Sequence, residues 1–98
     1  MKDASQILRE ASKTFLERNK VYGDNYKIVG KVMKALFPDG VTLKTEDDFN
    51  TWHLFELVIV KITRFANSNL KHKDSIHDTT VYSAMIESIM KEDKWVKF

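Results

Sequence analysis

The stretch 46–66 reads EDDFNTWHLFELVIVKITRFA, and no other segment constrains the architecture as tightly. Its apolar residues are Phe49, Trp52, Leu54, Phe55, Leu57, Val58, Ile59, Val60, Ile62 and Phe65. They wrap most of a helical circumference, the pattern of a central helix buried on several sides. Thr45-x-x-Asp48 resembles a helix start, with acids in the first turn facing the positive end of the helix dipole. A chain of 98 residues has little material to cover such a helix, so homo-oligomerisation is expected to supply the missing cover.

On the N-terminal side, Ile7, Leu8, Ala11, Phe15 and Leu16 recur at helical spacing and predict a first helix over 5–19. Gly23, Asp24 and Asn25 supply a breaker and good N-cap chemistry. Tyr26, Val29, Val32, Met33 and Leu36 then predict a second helix over 26–37, ended by Pro38-Asp39-Gly40. Gly30 inside it costs roughly 1 kcal/mol relative to Ala, which a close helix crossing would explain. Residues 41–45 read as a short extended piece or a loop. After a polar connection, a fourth helix is expected from Asp74 or Ser75 to Lys91, with Asp78, Tyr82, Met85 and Ile89 facing inward. Trp95, Val96 and Phe98 are expected to dock on the same protomer or on a neighbour. The fold class is all-α, one domain over 1–98 with four main helices.

Composition excludes several function classes. Hydrophobic residues make up 43% and charged residues 31%, so the chain is globular. A net charge of +2 suits a small anionic ligand, while the dispersed basic residues rank nucleic acid last among partners. With no cysteine, disulfides and thiolate metal sites are excluded, which fits a cytoplasmic setting. The N-terminus leads into an amphipathic pattern rather than a signal sequence, and the apolar run 57–60 is far too short to span a membrane.

Charged residues on inward faces mark the candidate site. Asp78 shares its helical face with apolar residues, and a carboxylate aimed at a core needs a cation, a metal or hydrogen-bond donors. His53, Lys61 and Arg64 fall within a sector of about 80° on the third helix, with Glu56 about 60° to the other side of His53. Lys61 and Arg64 would clamp phosphate, a point charge beside a bidentate fork; snorkelling rim residues are the plainer reading. Two functional readings of Asp74 and Asp78 stay open. With Glu56 they could gather a Mg²⁺ that binds substrate phosphates. Alternatively they orient Lys61 and Arg64 or accept hydrogen bonds from a base. Asp74 also suits an N-cap. Tyr22, Tyr26, Trp52 and Tyr82 could stack on a base or simply fill the core. His72 and His77 flank the aspartates without the convergence a zinc site needs.

Arg18-x3-Tyr22-Gly23-Asp24-Asn25, Lys61-x2-Arg64 and His72-x-Asp74-Ser75-x2-Asp78-x3-Tyr82 resemble the phage nucleotide-modification-associated domain over 14–89. That group is similar to the all-α, MazG-like nucleoside triphosphate pyrophosphohydrolases. The resemblance implies a compact helical bundle that dimerises or tetramerises through its central helices and binds nucleotide beside them. Those enzymes hold Mg²⁺ with Glu-Glu-x-x-Glu on one helix and Glu-x-x-Asp on the next. Here the acids thin to Glu56, Asp74 and Asp78, while Lys61 and Arg64 are added. The departure implies a non-catalytic binder, similar to the phage sponges that sequester cyclic nucleotide signals of CBASS-type defence in the bacterial cytoplasm. Its expected ligand-binding residues are Arg18, Tyr22, Trp52, His53, Lys61, Arg64, His72, Asp74, Asp78 and Tyr82. The alternatives are a Mg²⁺-dependent pyrophosphohydrolase and a helical protein-interaction module.

Overall fold

The computed structural model describes residues 1–90, and these form four helices and no strand. They are α1 (Ala4–Tyr22), α2 (Asn25–Leu36), α3 (Glu46–Asn67) and α4 (Lys73–Ile89). The expected end of α4 at Lys91, and the docking of Trp95, Val96 and Phe98, lie outside the described residues. None of the described helices is long and apolar enough to cross a membrane.

Local chemistry sets the helix ends. Thr45 Oγ1 accepts from the Asp48 N–H at 3.0 Å, and Asp48 returns a bond to the Thr45 N–H at 3.0 Å. This capping box satisfies donors that the first turn otherwise leaves unpaired. Asp3 and Gln6 form a second box that starts α1. At the far end α1 runs three residues beyond the expected Asn19, because nothing before Gly23 breaks it. Gly23 takes φ 60°, ψ −153°, a region open essentially to glycine alone, and its N–H reaches the Asn19 carbonyl at 2.8 Å. Residues 41–45 are a loop rather than a strand. Gly30 serves no close crossing among the described residues, where nothing lies within 4 Å of where a Cβ would stand.

Packing runs through α3. Phe37 at the end of α2 meets Trp52 and Phe55 edge-on at 5.3 and 6.0 Å, while Asn25 at its start reaches the Val60 carbonyl at 3.4 Å. These contacts make α2 antiparallel to α3. α4 folds back on α3 as a hairpin. Its turn uses Asn69 and Leu70, both in the left-handed region at φ 60° and 63°, and the Leu70 N–H closes on the Phe65 carbonyl at 3.0 Å. Val58, Ile59 and Thr63 on α3 are buried, as is Ser75 on α4. The inward side of α4 runs through Ser75, Asp78, Tyr82 and Ile89; Met85, expected there, is 44% exposed. α1 buries no residue, and Ile7, Leu8, Phe15 and Leu16 all stand exposed along it.

Candidate functional site

The C-terminal turns of α1 and α3 meet at the start of α2. An asparagine pair fixes this junction. Asn67 Nδ2 donates to the Tyr22 carbonyl at 3.0 Å and to Asn25 Oδ1 at 3.1 Å. Asn25 is buried, so its amide needs these partners. The sequence offers both Asp24 and Asn25 as caps; in the structure Asp24 occupies the N-cap position and Asn25 is buried. No spacing rule could have paired it with Asn67, because the partners come from different helices.

The junction brings Arg64 over the Tyr22 ring, with Cζ 4.5 Å from the ring centroid. The guanidinium is attracted to the ring face. Its Nε is buried and has no hydrogen-bond partner among the described residues. The other contact of Tyr22 is His72, whose ring meets it edge-on at 6.0 Å. His72 is held in turn. Its backbone N–H donates to Ser68 Oγ at 2.9 Å, and Nδ1 lies 2.6 Å from the Oγ of Ser75, a residue 1% exposed.

Beside Tyr22 opens a cleft of about 250 Å³. Arg18 and Arg64 supply its cations, Phe15, Tyr22 and Tyr26 its aromatic walls, and Val29 and Val60 its apolar lining. Asn19, Gly23 and Asn25 complete it, and no acidic residue lines it among the described residues. Phe15 and Tyr26 sit edge to face at 6.1 Å. Phe15, Val29 and Val60 carry only helical periodicity in the sequence, and their part in a cleft has no sequence signature; Tyr26 is among the aromatics the sequence offers for stacking.

Lys61 lies one helical turn before Arg64. Its Nζ pairs with Asp78 Oδ2 at 3.0 Å, with the side chains 18% and 38% exposed. The carboxylate on the inner face of α4 thus has its cation. Arg64 has none of the ion-pair carboxylates among the described residues.

The remaining candidates are placed elsewhere. Trp52 lines a second cleft, of about 690 Å³, with Phe37 and Phe55. His53 and Asp74 are exposed on α3 and α4, and Tyr82 is half-buried on α4 outside both clefts. His72 caps α4, so Asp74 falls in its first turn rather than at the N-cap. Glu56, Asp74 and Asp78 do not form a Mg²⁺ site within one chain. Among the described residues no three His, Asp or Glu side chains come together as metal ligands, and Asp78 is committed to Lys61. No family model, curated protein or solved structure matches the chain.

Proposed function

We propose that this chain binds a phosphate-containing nucleotide without cleaving it, in the cleft between α1, α2 and the C-terminal end of α3. One observation carries the reading: Arg18 and Arg64 line a cleft that contains no carboxylate among the described residues. The Tyr22 ring face holds the Arg64 guanidinium, with Cζ 4.5 Å from its centroid, without neutralising the charge that would attract an anion. The exposed ring of Tyr26 and that of Phe15 offer aromatic surface for a base. Cleavage is disfavoured because the acids that would hold Mg²⁺ do not converge. The resemblance of the motifs to phage nucleotide-associated domains points to cyclic dinucleotide defence signals among the ligands to test.

The cleft's roughly 250 Å³ falls below the 300–1,000 Å³ usual for small-molecule sites. A second copy would enlarge it. The apolar stripe of α1 runs into the cleft through Phe15 and has no cover in the described chain, which supports a homo-oligomer built there. That stripe also favours a second reading, an interaction module whose α1 packs on another protein.

The test is a thermal-shift screen against nucleoside triphosphates and cyclic dinucleotides, each with and without Mg²⁺, followed by chromatography of the recovered ligand. The expected outcome is a raised melting temperature with at least one nucleotide recovered intact, lost in Arg64→Ala and in Arg18→Ala. Degraded ligand would reject the binder in favour of the enzyme. No shift with any nucleotide would favour the interaction module.

A further inference from the structure

His72 occupies the N-cap position of α4, yet its side chain makes no hydrogen bond to the helix backbone. Ser, Thr, Asp or Asn there would stabilise the helix start, so the imidazole contributes nothing as a cap. Its neighbours hold it for another purpose. Ser68 Oγ accepts the N–H groups of Lys71 and His72 at 3.2 and 2.9 Å and donates to the Phe65 carbonyl at 2.7 Å. These bonds fix the backbone where the α3–α4 turn ends. The ring is fixed at Nδ1, which lies 2.6 Å from Ser75 Oγ. Ser75 is 1% exposed, and its hydroxyl has no other hydrogen bond among the described residues. Rotating the ring away would strand a buried polar group.

The edge-on contact at 6.0 Å joins this fixed ring to Tyr22. Tyr22 and Arg64 line the smaller cleft; His72 does not, and neither does any other residue of 68–75. With that cleft taken as the anion site, we infer that His72 is its positioning residue: it holds the Tyr22 ring, and the ring keeps the Arg64 guanidinium at the cleft before an anion arrives. Arginine has a long side chain with many rotamers, and a site that must order one on binding loses affinity. Ordering it in advance is worth about threefold to tenfold. The start of α4 thereby sets how ready the α1–α3 junction is for its ligand.

The N-cap position permits a test in which stability and binding part company. His72→Asn supplies the missing cap while removing the ring. The new cap offsets the lost Ser75 bond, so the melting temperature should stay within about 3 °C of the native chain's. Arg64 should loosen all the same. Its Nε is shielded from solvent, which slows exchange of the N–H and lets NMR follow it. Without ligand, the order parameter of that N–H should fall from the rigid range, about 0.85, to below about 0.6. Affinity for inorganic pyrophosphate, measured by titration calorimetry, should fall about threefold to tenfold. Because His72 acts through Tyr22, adding His72→Asn to Tyr22→Leu should weaken pyrophosphate binding no further than Tyr22→Leu alone. An unchanged order parameter in His72→Asn would overturn the inference, and so would a further loss of about threefold or more in the double variant. A melting temperature lowered by more than about 8 °C in His72→Asn would make the histidine a structural residue and overturn it too. A native chain that binds no pyrophosphate would reject the anion site, while the ligand-free order parameter still decides whether His72 positions Arg64.

Discussion

Replacing Asp78 by Asn strands the Lys61 ammonium on the inner side of the α3–α4 hairpin. The magnitude follows from where the pair sits. Lys61 is 18% exposed, Asp78 is 38% exposed, and the charges are 3.0 Å apart. Exposed pairs contribute about 0.2–1 kcal/mol. Removing one partner of a fully buried pair costs about 3–5 kcal/mol. A half-wet pair belongs between these limits, and the two partners should not cost the same. Lys61 recovers little water, so Asp78→Asn should destabilise by about 1.5 kcal/mol, a fall of roughly 6–12 °C in melting temperature for a domain of this size. Asp78 is wetter and rehydrates, so Lys61→Met should cost only about 0.5–1 kcal/mol. The double variant Lys61→Met with Asp78→Asn should cost about 1–1.5 kcal/mol rather than the additive sum of about 2–2.5, a coupling of about 1 kcal/mol in the double-mutant cycle. Urea denaturation with linear extrapolation measures all of these. Equal costs for the two single variants, or a coupling under about 0.3 kcal/mol, would refute the reasoning. The ammonium would then be solvated like any surface lysine, and Asp78 would not be what joins the two helices.

Three further outcomes test other parts of the chain. Asn67→Ala leaves the buried Asn25 carbonyl oxygen and the Tyr22 carbonyl without their donor. It should cost about 1–3 kcal/mol in urea denaturation and speed amide exchange at the α1–α2 junction. The Asp48 carboxyl is held below its ordinary range by the backbone N–H groups of Thr45 and Lys44. Its contribution is therefore complete above the unfolded carboxyl range, near pH 4, and is lost as pH falls through the lower folded value. The melting-temperature gap between the native chain and Asp48→Ala should accordingly shrink on titration from about pH 7 to about pH 2. Gly30→Ala, at a helix-interior position with nothing within 4 Å of the new Cβ among the described residues, should stabilise the protein by about 0.5–1 kcal/mol in thermal denaturation. A loss of stability there would reveal a neighbouring copy packed on α2.

The architecture was legible where one physical rule dominated. The apolar wrap of 46–66 and the Thr45–Asp48 signature identify α3, which runs Glu46–Asn67 with the capping box in place. The same wrap pointed to thin cover, and the described residues bury only Val58 and Ile59 among their large apolar side chains. Legibility fell where two rules competed. Lys20, Val21 and Tyr22 are polar or β-branched neighbours of a glycine and read as a connection. The helix continues through them because each added residue gains a backbone hydrogen bond and only Gly23 can take the terminating dihedrals. Met85 keeps the period of the inner α4 face yet stands exposed, and among the described residues α4 packs chiefly against α3.

At the candidate site, Lys61 and Asp78 were legible as a pair because a carboxylate on an apolar face demands a cation and the preceding helix offers one. The fate of Arg64 was not legible, because its partner Tyr22 is held in place by Asn25 and Asn67, a contact that periodicity does not encode. The difference between the two cations bears directly on function. Asp78 neutralises Lys61, so that position adds little net field. A tyrosine ring attracts Arg64 without cancelling its charge. Arg18, which takes part in no ion pair among the described residues, adds a second charge in the same cleft. Two arginines that take part in no ion pair among the described residues thus meet at the α1–α3 junction, while Lys61, which the sequence put forward beside Arg64, is paired with Asp78. Under the proposed function, a phosphate would be drawn there, beside the aromatic rings a base would need. Lysine could not replace Arg64 in this arrangement: an ammonium does not stack flat on Tyr22 while keeping a planar fork of donors turned to an anion.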